Sequence, residues 1–431
     1  MPTSHPLTLL LRPHDILFFR DSRPMAGASA GHGDRFPFPH VLNSALHAAC
    51  HRAFPTDSPV AYTHARASAS KQRDSQRTER FGSLRTVGPF PVAEDGRWFF
   101  PKPGDLLDPR SGPVILPFEA SDFPGHSSLP ESLQPLGSHV QAGKSTFPQW
   151  MDRAAFTAYL HGQAIESSGL AHNDSFFVTE ESLGIGMNPD TGTTNEGQIY
   201  SRRQLRFREG CQLGVLTETG NQHQKEEDLL EQLFPEDGWI RVGGEGRVCQ
   251  VTKASKQPSA LLPTGPTIRG NRVKWVLLSP AIFPQLAESN KNRPHPGGWL
   301  PTWVDAETMQ VQLMDGPGPN KARRLGVDPG SPVSAKLIAA RVERYVPVAG
   351  WTNPSEGETG TGKEGARSTL LAVPAGTVYY FETASEEEAQ RLANALNWHG
   401  QPGSGTITNR RSTLLGEKGY GIGVCAPYET L

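Results

Sequence analysis

A run of arginines in the middle of the chain is the stretch whose residue types most directly suggest a chemistry. Residues 201–208 include four of them, Arg202, Arg203, Arg206 and Arg208. Side chains of a strand alternate between its faces, so Arg203 points away from the other three. Guanidinium groups hold phosphate oxygens with paired hydrogen bonds, which suits a site that follows a nucleic-acid backbone. The alternative is a solvated face that nearby carboxylates neutralise, those of Glu180, Glu181 and Glu209.

Two glycine-rich stretches offer a second way to hold anions, through backbone N–H groups. One spans Val242 to Val248 with three glycines, and the other spans Leu414 to Val424 with four. Glycine lets a phosphate or a base approach the backbone without meeting a side chain. Positive side chains accompany both stretches, namely Arg247 in the first and Arg410, Arg411 and Lys418 around the second. The sequence therefore predicts two loops that come close to another chain.

Arg20 and Arg23 form a further basic pair, at the junction between an N-terminal strand and a long loop. Such a junction brings the edge of a sheet to solvent, where arginines can clamp a phosphate. The residues alone leave equally open that these arginines pair with Asp21 and Asp34.

Motifs for enzymatic chemistry are weaker. The His14-Asp15 dipeptide is a poor indication of a metal site, because such sites need further ligands that converge on the metal. The P-loop pattern that ends at Lys144 has Ser138 where its first glycine belongs. The glycines before Lys363 have the right spacing, but Glu364 replaces the hydroxyl that would hold magnesium. These departures argue against a P-loop NTPase and give little support to a metal site.

Composition limits how the chain can bind its ligands. It has 431 residues and a formal net charge of −2, so any nucleic-acid site must be a local basic patch on a neutral body. With 45 glycines, 38 prolines and 36% hydrophobic residues, we expect long ordered loops and modest cores. The four cysteines are scattered without metal-ligand spacing, which predicts no cofactor and fits a reduced, cytoplasmic protein.

The elements that would position these residues form a unit that occurs twice. A strand over Thr377–Phe381 and a helix with a capping box at Ser385 and Glu388 precede the second glycine stretch, and a strand follows it. Residues 212–252 repeat the same order around the first glycine stretch. We interpret the pattern as an internal duplication of one α+β module, although α+β proteins also offer such pairs by chance.

The same patterns divide the chain into domains. Residues 253–269 are rich in Ser, Pro and Lys and indicate a boundary between domains over residues 1–258 and 265–431. Turn residues between apolar runs predict a β-hairpin with a long tip over Leu183–Tyr200, directly before the arginine run.

Several pieces of the sequence, taken in order, resemble the third subunit of the type III-B CRISPR effector, the Cmr complex, in the RAMP superfamily. They are Leu10–Asp15 through Phe19–Pro24; Leu183–Gly186 with Thr191–Thr193 and Glu196–Tyr200; Val242–Arg247; Leu277–Phe283 with Gly298–Pro301; and Gly416–Gly423. The ordered set is more specific than any single piece and reaches both ends of the chain. Residues 62–146 match the family only vaguely.

This resemblance implies an α+β fold of two ferredoxin-like (RRM-like) modules. Their antiparallel sheets would carry helices, a glycine-rich loop before each last strand, and long insertions. It also implies a non-catalytic subunit that binds the 5′ tag of the CRISPR RNA for antiviral defence. Its protein partners would be the large polymerase/cyclase-like subunit and a backbone RAMP subunit. The hairpin over Leu183–Tyr200 would be a thumb that presses on the RNA.

The candidate RNA-binding residues are Arg20, Arg23, Arg202, Arg203, Arg206, Gly243, Gly244, Gly246, Arg247, Arg410, Arg411, Gly416, Lys418, Gly419, Tyr420, Gly421 and Gly423. Their positive side chains would neutralise phosphates, and Tyr420 would stack on a base. A competing hypothesis is a metal-independent RAMP endoribonuclease that processes CRISPR repeat RNA, with a general acid or base among His14, His32 and His40. A scaffold that contacts only protein is a third.

Overall fold

The computed structural model describes residues 6–20, 36–53, 84–108, 114–119, 125–139, 147–218, 229–234, 236–254, 256–288, 293–326, 328–352, 365–366, 368–403 and 406–431. The chain divides into two compact units of three segments each. Unit 1 consists of Met1–Gly96, Asn173–Lys256 and Pro347–Leu370. Unit 2 consists of Arg97–His172, Gln257–Val346 and Leu371–Leu431. No helix in the described part of the chain is both long and apolar enough to cross a membrane.

In the part of the chain that the structure describes, helices are few and strands are many. The α-helices are α1 (Pro39–Ala53), α2 (Arg153–Leu160), α3 (Leu229–Leu233), α4 (Pro258–Leu261), α5 (Pro319–Leu325) and α6 (Glu386–Leu396). The strands are β1 (Leu7–Pro13), β2 (Ile16–Leu17), β3 (Arg85–Val92), β4 (Phe99–Pro101), β5 (Leu116–Pro117), β6 (Leu136–Gly137), β7 (Trp150–Asp152), β8 (Leu170–Ala171), β9 (Phe177–Met187), β10 (Thr194–Phe207), β11 (Gln212–Glu218), β12 (Gly238–Arg241), β13 (Val248–Ala254), β14 (Arg272–Leu277), β15 (Ala335–Arg341), β16 (Val346–Val348), β17 (Trp351–Thr352), β18 (Gly365–Ala366), β19 (Leu370–Ala372), β20 (Val378–Thr383) and β21 (Gly423–Pro427).

The main sheet of unit 1 has ferredoxin-like topology. Its order is β12-β13-β1-β11-β3, and every neighbouring pair is antiparallel. Helix α1 lies between the first two strands of the module in sequence and α3 between the last two, with β12 as an added edge strand. Leu9 and Leu11 of β1 are fully buried, opposite Val215 and Leu213, whereas Leu10 between them is half-buried and Arg12 is exposed. Alternation thus gives this sheet one apolar face, which the helices cover.

A long hairpin projects from the same unit. Strands β9 and β10 pair antiparallel from Phe177 and Phe207 outwards to Ile185 and Ile199, and the short β2 pairs with the base of β10. The structure confirms a hairpin over the predicted range and extends it at the base. We call β9, β10 and their connection the thumb.

The sheet of unit 2 repeats the topology, with the order β15-β20-β14-β21 and antiparallel pairs throughout. Helix α6 begins where the capping box predicts, and the Ser385 side chain accepts a hydrogen bond from Glu388 N at 3.2 Å. Its apolar side, including Leu392, packs on Trp275 and Phe381 of the sheet. The duplicated α+β module predicted from the sequence is therefore confirmed by two sheets of the same strand order.

The opposite face of this second sheet is covered from within unit 2. Lys274 of β14 projects from that face and is 5% exposed, with Nζ 3.1 Å from Asp105 Oδ2 and 2.8 Å from Tyr159 Oη. Tyr380, beside Lys274 in register, donates to Ile115 O at 2.6 Å. Burial, together with the Asp105 charge, raises the pKa of Tyr159 well above its ordinary value, so the phenol remains a neutral donor.

The observed units differ from the domain boundaries predicted from the sequence. The division near residue 257 falls inside the predicted linker, but residues 97–172 belong to unit 2 and not to an N-terminal domain. The apolar side chains of β4 to β8 and α2 are buried within unit 2. Packing, and not position in the chain, therefore decides the unit to which this segment belongs. Residues 347–370 likewise belong to unit 1, far from its other segments in sequence.

Candidate nucleic-acid interface

Carboxylates neutralise the arginines at the base of the thumb. Arg203 donates to Glu181 Oε1 at 2.9 Å, directly across the strand pair. Arg206 donates to Asp15 Oδ1 at 2.8 Å and to Glu180 Oε2 at 3.0 Å. These hydrogen bonds hold the pKa values of Asp15 and Glu180 below their ordinary range and raise the pKa of Arg206. For Glu180 and Glu181, the structure thus bears out the sequence interpretation of a balanced, solvated face.

The first glycine stretch joins the same network of charges. Glu245 pairs with Arg202 of β10, and Arg247 Nη2 donates to Glu245 Oε2 at 3.4 Å. Arg247 also lies 3.7 Å from Asp15 Oδ2. Arg206 completes the network through Asp15, so three arginines and three carboxylates connect the thumb base, the turn after β1 and the glycine stretch. We call Arg202, Arg206, Arg247, Asp15, Glu180 and Glu245 the charge network.

The three glycines of this stretch have different surroundings. Gly244 N donates to Phe18 O at 2.9 Å, and a Cβ on Gly243 would overlap that same carbonyl oxygen. Gly246 has φ of +68°, and no described atom lies within 4 Å of the place its Cβ would take. Gly243 and Gly244 therefore seat the loop against the segment after β2, and Gly246 presents open backbone to solvent.

The second glycine stretch is packed into the core of unit 2. Tyr420 is completely buried, and Lys418 is 8% exposed. Gly419 is buried in the left-handed region with φ of +96°, whereas Gly416 is half-buried. The expectation that this loop is open, with Tyr420 stacking on a base, is wrong for this conformation, because its ring has no exposed surface.

Close packing explains the remaining glycines of that stretch. A Cβ on Gly421 would overlap Ser412 N, and a Cβ on Gly423 would overlap the Trp275 ring. Gly421 N also donates to Pro280 O at 2.8 Å. These glycines allow the backbone to pass close to the protein's own core. The sequence pattern predicted the same close approach of the backbone, but to another chain.

The basic residues around the second stretch are engaged internally. Arg411 Nε donates to Ala395 O at 2.5 Å, and Arg410 Nη1 donates to Ile407 O at 3.3 Å. Burial lowers the pKa of Arg411 to about 10. These two side chains hold backbone carbonyls of unit 2, which accounts for their position without a phosphate.

Of the N-terminal basic pair, only Arg20 lies within the described residues. Arg20 is exposed at the end of the segment that leads from β2. Arg23, Asp21 and Asp34 lie outside the described residues, as do Lys144, Lys363, Glu364 and His32. The other two candidate histidines of the nuclease hypothesis are described: His14 is exposed, and His40 stacks on Phe38 with ring centroids 5.9 Å apart. The described residues contain no group of three or more His, Cys, Asp or Glu side chains that could hold a metal ion.

One face of the thumb carries exposed apolar side chains that the sequence analysis did not select. Leu183, Ile185 and Met187 of β9 are 78%, 50% and 55% exposed. They alternate with Gly184 and Gly186, so all three point to the same side of the hairpin. The period-two alternation of apolar residues and glycines was the sequence signal for this face. Exposed apolar side chains at this density indicate a surface that meets another molecule.

The fold and the site together define the class of the protein. Two ferredoxin-like modules, a glycine-rich connection before each last strand and a hairpin inserted into the first module are the features of a RAMP protein. The family model for CRISPR-associated protein (Cas_Cmr3) matches residues 9–421, and the chain belongs to this family. It is thus a subunit of a type III CRISPR effector.

Solved structures give remote similarities. A chain of the type III-B Cmr-beta complex bound to cognate target RNA and AMPPnP is 13% identical, with a TM-score of 0.42 over 88% of this chain and 86% of that one. A chain of the Csm3-Csm4 subcomplex from the type III-A interference complex is 9% identical, with a TM-score of 0.35 over 88% and 93%. A chain of the Csm1-Csm4 cassette with pppApA is 12% identical, with a TM-score of 0.30 over 65% and 78%. No curated protein matches the sequence.

Proposed function

We propose that this protein is a non-catalytic, RNA-binding subunit of a type III-B effector that holds the 5′ tag of the CRISPR RNA on unit 1. The observation that carries the proposal is the continuity of the charge network, the open backbone at Gly246 and the thumb within one unit. Arginines and backbone N–H groups position a phosphate chain, and the thumb supplies a surface for bases. Membership of the Cas_Cmr3 family supports the RNA as the ligand.

The arginines of the charge network would exchange partners when RNA binds. In the free protein each is neutralised by a carboxylate, so the surface is balanced and the arginine side chains are already oriented. An incoming phosphate competes with Asp15, Glu180 and Glu245 for the same guanidinium groups. The ion pairs of Arg206 are exposed and therefore weak, so their exchange costs little, and we expect moderate affinity that falls as salt rises.

The apolar face of the thumb would supply the sequence-tolerant part of the contact. Leu183, Ile185 and Met187 are too exposed to serve the core of unit 1. Apolar side chains can pack against the faces of unstacked bases, which a protein in water would otherwise leave solvated. This assigns to the hairpin the role of pressing on the RNA that the family resemblance implies.

The protein partners are also part of the proposal. A near-neutral chain with a balanced charge network would gain affinity for RNA from neighbouring subunits. We therefore assign the large polymerase/cyclase-like subunit and the first backbone RAMP subunit as its partners in antiviral defence. Co-purification of the tagged chain from its host should yield both subunits with a guide RNA.

An affinity measurement tests RNA binding directly. The full chain is titrated into a labelled single-stranded RNA with the 5′ tag and into one of equal length with a scrambled 5′ end. Arg206→Glu and, separately, Gly246→Asp should each raise the Kd for the tag RNA about tenfold, since both place negative charge beside the backbone. Arg293→Glu, at an 86% exposed position of unit 2, is the matched control and should leave the Kd unchanged. Equal Kd values for all four proteins would refute an RNA site on unit 1.

The endoribonuclease hypothesis is tested separately. Of the candidate general acids or bases His14, His32 and His40, His14 directly precedes Asp15 of the charge network, so it is the first to test. Repeat RNA incubated with the full chain and a metal chelator should remain intact. Cleavage that His14→Ala abolishes would replace the non-catalytic assignment with a nuclease.

A further inference from the structure

A single large aromatic side chain stands out on the main sheet of unit 1. Trp239 of β12 is 56% exposed, whereas its neighbour Ile240 is 1% exposed on the helix-covered side. Alternation along the strand therefore places the indole on the face opposite the helices. Arg241, two residues further on, lies on the same face and is also exposed.

The register across three strands shows what surrounds the indole. Trp239 pairs with Gln250 of β13, and Gln250 pairs in turn with Arg12 of β1. The three side chains thus form one row across the sheet. His14 continues the line of Arg12 and lies edge-on to the indole, with ring centroids 5.6 Å apart and an interplanar angle of 84°. Beside this contact, more than half of the Trp239 side chain remains exposed to solvent.

Neither arginine of this face pairs with a carboxylate among the described residues. Within the part of the chain that the structure describes, neither Arg12 nor Arg241 makes a side-chain hydrogen bond or ion pair. Of the nearby acidic groups, Asp237 accepts a hydrogen bond from Gln250 of the row at 3.4 Å, and Asp15 pairs with the charge network. This corner of the sheet differs in that respect from the thumb base, where each arginine is paired.

We infer that this corner, formed by Trp239, His14, Arg12 and Arg241, is a second RNA contact, at which one unstacked base of a single strand stacks on the Trp239 indole. The flanking guanidinium groups would bind the phosphates on either side of that base. The inference rests on the proposed function and adds to it a base-stacking subsite on the sheet face. The contacts proposed above for the glycine stretch and the thumb include no such subsite.

Continuity with the candidate interface favours RNA as the occupant. Strands β12 and β13 are joined by the glycine stretch, so Trp239 and Gly246 belong to one hairpin of unit 1. An RNA chain bound at Gly246 would therefore reach the indole by following β12. The row also contains one aromatic side chain among polar neighbours, and an isolated ring flanked by cations is the pattern that binds a base and its phosphates.

The affinity test uses the full chain, a labelled single-stranded RNA of about ten nucleotides with the 5′ tag, and four variants. Trp239→Ala should raise the Kd about 5- to 140-fold, the range for loss of one base stack. Trp239→Phe keeps an aromatic face and should stay within about threefold of the unchanged protein. Arg12→Gln and Arg241→Gln should each make the slope of log K against log salt shallower by about 0.7.

A photo-crosslinking test locates the contact in the assembled effector. RNA with 4-thiouridine at successive tag positions is bound to the complex, irradiated and digested. A crosslink to the peptide that contains Trp239, confined to one RNA position, supports the subsite. Crosslinks to thumb or glycine-stretch peptides alone overturn it.

The outcomes separate this inference from the proposed function. If Arg206→Glu weakens RNA binding and Trp239→Ala does not, the subsite is wrong and RNA binding on unit 1 stands. If the unchanged protein does not distinguish tag RNA from scrambled RNA, both fail. If Trp239→Ala leaves the Kd unchanged but releases a protein subunit from the effector, the corner is a protein contact and the inference is overturned. Equal melting temperatures of Trp239→Ala and the unchanged protein exclude unfolding as the cause of a loss.

Discussion

The two glycine stretches occupy the same place in two modules of the same topology, yet their surroundings are opposite. In unit 1 the stretch is a hairpin turn with open backbone at Gly246 and paired charges at Arg247 and Glu245. In unit 2 the stretch runs through the core, with Tyr420 fully buried and Gly421 pressed against Ser412. The two modules thus share the path of the backbone but differ in how exposed their glycine stretches are.

The sheets of the two units differ in the same direction. Unit 2 buries both faces of its sheet, one under α6 and the other under the segment that carries Asp105 and Tyr159. Unit 1 leaves a corner of one face exposed, with Trp239 and Arg12 on it. One module of the pair is thus built for stability and the other for contact with a ligand.

The largest effect should come from the buried ion pair of unit 2. Lys274→Met leaves the Asp105 carboxylate buried without its cation and should lower the free energy of unfolding by about 3–5 kcal/mol. Arg206→Met in unit 1 is the matched control, because its guanidinium is 47% exposed and its pairs are solvated. Urea unfolding monitored by circular dichroism measures both. A loss no larger for Lys274→Met than for Arg206→Met would mean that the covered face of unit 2 contributes no more than the open one.

The next largest difference in stability should come from substituting one glycine of each stretch. Gly421→Ala must place a Cβ against Ser412 N at a φ of +73°, so we expect a loss of about 2–4 kcal/mol in the free energy of unfolding. Gly246→Ala meets only the strain of its φ of +68° and should cost about 1 kcal/mol. Thermal unfolding of the two variants side by side checks the order. The reverse order would contradict the assignment of the packed and open loops.

Charge neutralisation at the thumb base predicts a gain of affinity for RNA. Glu180→Gln removes a carboxylate that competes for Arg206, so the Kd for tag RNA should fall about two- to fivefold. Glu387→Gln on α6 of unit 2 makes the same change of charge away from the proposed site and should have no effect. Fluorescence anisotropy at fixed ionic strength distinguishes the two. Weaker binding by Glu180→Gln would show that the glutamate orients the arginine and does not compete with phosphate.

The smallest effect concerns the salt dependence of RNA binding. Arg247→Gln should make the slope of log K against log salt shallower by up to about 0.7, the value for one phosphate contact on a single strand. Lys418→Gln, on the buried stretch of unit 2, should leave the slope unchanged. Titrations at several salt concentrations give both slopes. A change on Lys418→Gln alone would reverse the roles of the two stretches.

Prediction from the sequence succeeded where a local pattern has one structural solution. The capping box at Ser385 and Glu388 predicted the start of α6, and the apolar run that begins at Leu7 predicted the strand β1. The order of strand, helix, glycine stretch and strand also revealed the repeated module. Prediction failed for Tyr420 and for residues 97–172, because a glycine-rich loop looks the same whether it faces solvent or its own core, and an insertion carries no mark of the sheet it will cover.

Local sequence patterns were thus enough to predict the elements, the repeated module and the residue types available to bind phosphate. Which of these residues reach solvent, and which carboxylate lies beside which arginine, became known only from the folded chain. The preference of a segment for helix or strand depends on residues a few positions apart. Burial and ion pairing instead join residues such as Asp15 and Arg206, or Asp105 and Lys274, that are more than a hundred positions apart.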